Sequence, residues 1–271
     1  VFTELEKHVG EDAILASNTS SLAIADIASA LKHPERMVGI HFFNPVAVMP
    51  LVEVVAAELS SEPAVATAVS AVRKLRKTPI VTADSTGFVV NRLLAKLLGE
   101  AMHAIETGTP YEVVTESVQP LCLPMGPFEL LELVGLQVGA HVLDTHHRAF
   151  PERFFASDAL HQLVTQGKIY DRDAKKTIKG VSKEAKALIG SGPGYTAGEL
   201  RERVHDGLAD EVWRMLEEGV VESAEDIDVA MILGAGWPFQ MGGITPYLDR
   251  TGASEKVRGQ TFHSPPIKGV A

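Results

Sequence analysis

The chain has 271 residues, a formal net charge of -10 and a pI of about 5.5, with 45% hydrophobic and 22% charged residues. That composition is ordinary for a globular protein with room for two or three domains, and its acidic field disfavours nucleic acid as a partner. The single cysteine, Cys122, excludes an intrachain disulfide and fits a reducing compartment, and no apolar run approaches the roughly 20 residues that span a bilayer.

The sequence starts at Val1, not Met, and opens in a helix-like stretch from Val1 to His8, without the pattern of a secretory leader. This reads as a start inside a domain. Ile14-Leu15-Ala16-Ser17 predicts a short buried strand ending in the polar turn Asn18-Thr19-Ser20-Ser21. A short helix follows, with Leu22, Ile24, Ile27 and Leu31 on its apolar side. Met37 to Phe43 and Leu51 to Ala56 predict two further strands. The connection between them, Asn44 to Pro50, is too short for a parallel crossover of roughly a dozen residues, so this pair should be antiparallel. Val65, Val69, Val72 and Leu75 recur at helical spacing, with Ser61 placed to cap that helix and Pro63 suited to its first turn. Pro79 to Thr82 is a fourth strand. Alternating strands and helices predict an α/β layer with a mostly parallel sheet.

After Gly87 the pattern turns helical. Val90, Leu94, Leu97, Ala101 and Ile105 mark a long amphipathic helix that Gly108 should end. Pro127 opens another, with Leu130, Leu131, Val134 and Val138 inside it. Residues 168–186 are rich in lysine, which suits either a solvated face or an anchor for an acidic ligand. An internal repeat relates Glu100-Ala-Met-His-Ala-Ile-Glu-Thr-Gly108 to Glu211-Val-Trp-Arg-Met-Leu-Glu-Glu-Gly219. Each is followed by a second helix signal and a Gly/Pro turn. The expected organisation is therefore an α/β part over 1–86, then an all-α part of two copies of one helical unit over 87–190 and 191–271. Two such copies can bury each other's apolar faces.

Four positions could carry chemistry. The Asn18–Ser21 cluster sits at a strand end, where open α/β sheets bind ligands, although Ser20 or Ser21 could equally cap the next helix. His41, in His41-Phe42-Phe43-Asn44-Pro45, is a histidine at the end of an apolar strand. Glu53 is a carboxylate inside Leu51-Val52-Glu53-Val54-Val55 and needs a partner there. Antiparallel pairing can set the two side by side. A carboxylate on one ring nitrogen would then fix the tautomer and leave the other nitrogen to take a proton, or the two could be a buried structural pair. Asn91 begins a helix where the α/β part hands over to the helical part, a natural cleft; its other role would be helix-start hydrogen bonding. No G-x-G-x-x-G occurs. Gly190-Ser-Gly-Pro-Gly194 and Gly234-Ala-Gly236 lack the strand–turn–helix context of a phosphate loop. No His/Cys/Asp spacing suggests a metal site; His146 and His147 are adjacent and cannot share a helix face.

These motifs resemble the L-3-hydroxyacyl-CoA dehydrogenases of fatty-acid β-oxidation. The matching segments are SNTSSL at 17–22, GIHFFNPVAVMPLVEVV at 39–55, DSTGFVVNRLL at 84–94 and PMGPFELLELVGL at 124–136. The second helical copy, with its GWPFQMGG turn, is similar to that of the large multifunctional α-subunits, which carry an enoyl-CoA hydratase domain upstream. The resemblance implies an incomplete dinucleotide-binding (Rossmann-like) domain over 1–86 followed by helical C-terminal domains, NAD as cofactor and an acyl-CoA substrate. It implies His41 as general base, Glu53 as its orienting partner, Ser20 on the substrate 3-oxygen, Asn91 on the substrate carbonyl or closing the cleft, Asn44 lining the pocket and Asn18 near the nicotinamide. It also implies a possible homodimer or thiolase subunit as partner, and a bacterial cytoplasm or a mitochondrial matrix as location. The family's glycine-rich turn precedes anything in this sequence, so the chain is expected to be a truncated piece that binds NAD weakly or not at all, with an open sheet edge. The competing expectation is a non-catalytic helical scaffold for a β-oxidation complex.

Overall fold

A computed structural model describes residues 1–20 and 22–263. It divides into two compact units: residues 1–92 with 212–245, and residues 93–211 with the segment that starts at 246. The boundary expected at 191 does not coincide with this division, because the second helical copy contributes to both units.

The first unit is built on a four-stranded sheet of order β1-β2-β3-β4, with β1 Leu15–Ser17, β2 Met37–Phe42, β3 Leu51–Ala56 and β4 Thr78–Ala83. β1 pairs parallel to β2, β2 antiparallel to β3, and β3 parallel to β4. The short Asn44–Pro50 connection thus forces the one reversal, as its length demands. The opening helix, α1, is shorter than expected, spanning only Phe2–Leu5.

Strand alternation sends successive side chains to opposite faces. Met37 and Val55 join Leu15, Phe88 and the helix α2 (Ile24–Ala28) in one core. Val38, Val52 and Val54 join Ala64, Ala68 and Val72 of the helix α3 (Glu62–Lys74) in another. His41 and Glu53 share the parity of Met37 and Val55, so they lie on the α2 face. Gly39 makes the close approach possible on that face: a Cβ there would stand 2.7 Å from Val55 Cβ and 3.1 Å from Ile24 Cδ1. α3 is capped as its sequence predicts, with the Ser61 hydroxyl accepting from the Ala64 N–H. Its buried stripe is Ala64, Ala68 and Val72, with Val65 and Val69 half-buried beside it, whereas Leu75 is exposed. Leu22 is also exposed, since α2 starts only at Ile24 and buries Ile24 and Ala28.

The helix α4 runs Val90–Glu106. It is followed by α5 (Tyr111–Val118), α6 (Pro127–Val134), α7 (Leu136–Ala149) and α8 (Asp158–Gln166). The helix opened by Pro127 ends at Val134, because Gly135 has φ of +94°; Val138 belongs to α7, and both valines are exposed. The lysine-rich segment forms a hairpin of β5 (Tyr170–Arg172) and β6 (Ile178–Val181), then the short helix α9 (Lys183–Lys186). Three of its cations meet carboxylates, Lys168 with Asp171, Arg172 with Glu132 of α6 and Lys179 with Asp173. The segment carries them on a largely solvated surface.

The loop Gly190–Gly194 leads into α10 (Ala197–Glu217) and has a packing purpose. Gly190 N–H donates to Ile105 O at 2.9 Å and Gly194 N–H to Thr107 O at 2.9 Å. A Cβ on Gly190 would fall 1.9 Å from Glu106 O. These glycines let backbone lie on backbone at the end of α4.

The chain continues through α11 (Ala224–Ala235), α12 (Ile244–Thr251) and α13 (Ala253–Arg258). The sequence repeat has a geometric counterpart. Thr109 N–H returns to Ala104 O, and Val220 N–H to Met215 O, both at 2.8 Å, after glycines of positive φ at 108 and 219. Each repeat also opens on a buried glutamate with a cationic partner, Glu100 with Arg203 and Glu211 with Arg153.

Candidate active site

The antiparallel register sets His41 directly opposite Glu53. His41 Nδ1 lies 2.7 Å from Glu53 Oε2; the histidine is 6% exposed and the carboxylate fully buried. With the carboxylate ionised, Nδ1 donates the proton, which fixes the tautomer and leaves the lone pair on Nε2. Nε2 has no hydrogen-bonding partner among the described residues and is not sealed from solvent.

The second carboxylate oxygen is equally engaged. Glu53 Oε1 accepts from the backbone N–H of Val89 and of Val90, each at 3.1 Å. These amides begin α4, so the carboxylate also compensates a helix N-terminus. Two rings clamp the imidazole: Phe43 meets it edge-on at 4.6 Å between centroids, and Phe88 is tilted against it at 5.5 Å. Phe88 has φ of +50° and follows Gly87 at +75°, which turns the segment sharply just before the helix.

The other predicted site residues make no hydrogen bond to this pair among the described residues. Asn18 lies just beyond β1, and its Oδ1 accepts from the Phe42 N–H at 2.9 Å. That bond ties the end of β1 to the backbone beside His41 and leaves the amide hydrogens of Asn18 free to donate outward. Thr19, not a serine, closes the following turn, its hydroxyl accepting from the Leu22 N–H at 2.8 Å. Ser20 caps nothing: the α2 N-cap is Ala23, and the helix start is served by Asp84, whose Oδ2 accepts from the Ala25 N–H at 2.7 Å. Ser21 lies outside the described residues. Ser20 instead lines a cavity of about 70 Å³ with Ala23, Asp84, Ser85, Thr86 and Phe88. Asn44 is exposed just past the end of β2. Asn91 is half-buried in the first turn of α4, next to Val90. The ring clamp, the two amides and Asp84 were not foreseen from sequence. The positive φ after Gly87 was the one local signal available, and the long-range bonds to Glu53 and Ala25 left none.

A dinucleotide can be tested against the donors present. The exposed Ser20 hydroxyl and the spare Asn18 amide stand at the carboxyl end of a parallel strand, where nucleotide ligands of such sheets bind. The Asn18 amide suits the polar groups of a nicotinamide ring. Among the described residues there is no glycine-rich strand–turn–helix for a pyrophosphate.

Comparison with known proteins gives a consistent picture. Residues 1–85 match the family described as 3-hydroxyacyl-CoA dehydrogenase, NAD binding domain, and residues 87–181 the 3-hydroxyacyl-CoA dehydrogenase, C-terminal domain. A fatty acid oxidation complex subunit alpha from Shewanella amazonensis is 39% identical over 267 residues, covering 94% of this chain and 38% of that protein. One from Acinetobacter baumannii is 37% identical over 278 residues, covering 95% and 38%. The chain thus spans well under half the length of these curated relatives. Among solved structures, (S)-3-hydroxybutyryl-CoA dehydrogenase from Ralstonia eutropha is 32% identical with a TM-score of 0.58, over 67% of this chain and 65% of that one. The 3-hydroxybutyryl-CoA dehydrogenase of Escherichia coli K12 is 24% identical with a TM-score of 0.74, over 98% of this chain and 76% of that one, a likeness of fold. None of the described helices is long and apolar enough to cross a membrane.

Proposed function

The chain belongs to the 3-hydroxyacyl-CoA dehydrogenase family, and from that premise we propose that it carries the acid–base half of an NAD-dependent oxidation of L-3-hydroxyacyl-CoA to 3-ketoacyl-CoA. The observation that carries this reading is the buried His41–Glu53 pair, held in strand register with Nε2 left open. His41 Nε2 takes the proton of the 3-hydroxyl. Glu53 keeps the ring oriented and balances the positive charge the imidazole acquires. NAD, when bound, supplies the acceptor for the C3 hydride.

Ser20 is assigned to the substrate 3-oxygen, Asn91 to the acyl carbonyl, Asn44 to the pocket wall and Asn18 to the nicotinamide end of the cofactor. These roles are supported by the free Ser20 hydroxyl, the place of Asn91 beside the amides that hold Glu53, and the outward amide of Asn18. Within the same reading the protein works beside a thiolase subunit or as a homodimer, in the cytoplasm of a bacterium or in a mitochondrial matrix.

The test uses the protein that carries this chain, with NAD reduction followed on a 3-hydroxyacyl-CoA. His41→Ala is expected to lower kcat by about a hundredfold to ten-thousandfold, the range of a lost general base. An unchanged rate would refute the assignment.

A further inference from the structure

We propose that the second helical copy braces the loop that holds the dyad, and that Glu218 is a positioning residue for Glu53 and His41; this rests on the dehydrogenase reading above. Glu53 points where the Val89 and Val90 amides hold it, so the placement of residues 83–92 governs the dyad. Three contacts from residues 218–234 fix that segment. Ala83, the last residue of β4, donates its N–H to Val220 O at 2.8 Å. Arg92, fully buried, donates to Ser85 Oγ at 2.9 Å and to Glu218 Oε2 at 2.5 Å. One guanidinium thereby bridges the two ends of the loop, and a carboxylate just past α10 anchors it. Gly234 of α11 presses on the wall behind the dyad. A Cβ there would stand 2.6 Å from Leu51 Cδ2, 2.9 Å from Val90 Cγ2 and 3.6 Å from Phe43 Cε1, and Phe43 is the ring that meets His41.

The path is continuous: Glu218 to Arg92, Arg92 to Ser85 and the first turn of α4, the adjoining amides to Glu53, and Glu53 to His41. A buried guanidinium needs a counter-charge to stay in one place. The pair is asymmetric, with the Arg92 side chain fully buried and that of Glu218 39% exposed. Glu218 can therefore be altered without opening a hole in the core, whereas Arg92 cannot. The second copy is in this respect part of the catalytic half and not an appendage to it.

The experiment compares Glu218→Gln, Glu218→Asp and Gly234→Ala with an exposed control, Glu222→Gln, in the protein that carries this chain. It reads kcat and KM for a 3-hydroxyacyl-CoA, and amide hydrogen exchange over residues 83–92. Glu218→Gln is expected to lower kcat by about tenfold with KM little changed, as a small misplacement of reacting groups does. The Val89 and Val90 amides should exchange faster in the same variant. Glu218→Asp should restore most of both, Glu222→Gln should match the wild type, and Gly234→Ala should lower kcat with Glu218 intact. Unchanged exchange in Glu218→Gln overturns the brace, and faster exchange with unchanged kcat overturns the positioning role. Should the wild type show no dehydrogenase turnover, the functional reading fails, while exchange alone still decides whether the loop is braced.

Discussion

Glu53 accepts hydrogen bonds from three donors: one imidazole N–H and two backbone amides, all in a fully buried setting. Glu53→Ala would strand all of them, and leaving such a buried network without its charged member costs roughly 3–5 kcal/mol. Chemical denaturation should register that loss; a midpoint equal to the wild type would mean that the carboxylate is not the hub described. Glu53→Gln keeps an acceptor for the two amides but weakens the hold on the ring, so it should spare much of the stability and still lower kcat. At this scale the dyad was legible in the sequence, because a short loop between two apolar strands allows one pairing direction and a period of two. The alternative reading of Ser20 as a helix cap did not hold. Sequence placed it as a candidate cap, but Asp84 reaches the helix start from fifty-nine residues away.

At the level of elements, close backbone approaches decide where the helices and strands settle. Gly39→Ala would force Val55 and Ile24 apart beneath the dyad, and such overpacking typically costs about 1–3 kcal/mol. Gly190→Ala would drive a methyl group into the Glu106 carbonyl and break the seat of the 190–194 loop on α4. Ser61→Ala should cost about 1 kcal/mol through the lost N-cap of α3. Thermal unfolding of the three variants should place the cap mutation as the mildest; an equal or larger loss for Ser61→Ala would contradict the packing described. The four strands of the main sheet and the helix α4 were readable from periodicity, whereas the β5–β6 hairpin interrupts a part expected to be all-α. The break at Gly135 was not readable, because an apolar run continues through Val134 and Val138 although both face outward.

For the molecule as a whole, two histidines away from the dyad, His205 buried and His103 half-buried, set a pH dependence. Burial pushes the pKa of His103 below the ordinary 6.5, with Arg203 adding to the effect against Glu100 and Glu106. Burial does the same to His205, helped by Arg201 and opposed by Asp206, while its Nε2 meets the Tyr247 hydroxyl at 3.0 Å. Both rings resist protonation in the folded state more than in the unfolded chain. Their stabilising contribution is thus present above 6.5 and is lost as pH falls from there through the lower folded values, since the unfolded chain takes up protons first. Denaturant midpoints should drop between about pH 7.5 and 5.5, and His205→Gln, which can keep the bond to Tyr247, should flatten that slope; an unaltered slope would show that His205 does not contribute.

The sequence alone determined the α/β-then-helical order, the antiparallel reversal, the repeat and the pairing of His41 with Glu53, because all of these follow from local periodicity and loop length. Only the tertiary structure decided that residues 212–245 join the sheet unit, that Arg92 and Glu218 meet, and that α4 begins on the Glu53 carboxylate. Those contacts join positions far apart in the chain, and no short-range pattern of residue types encodes which distant backbone amide a buried charge will find.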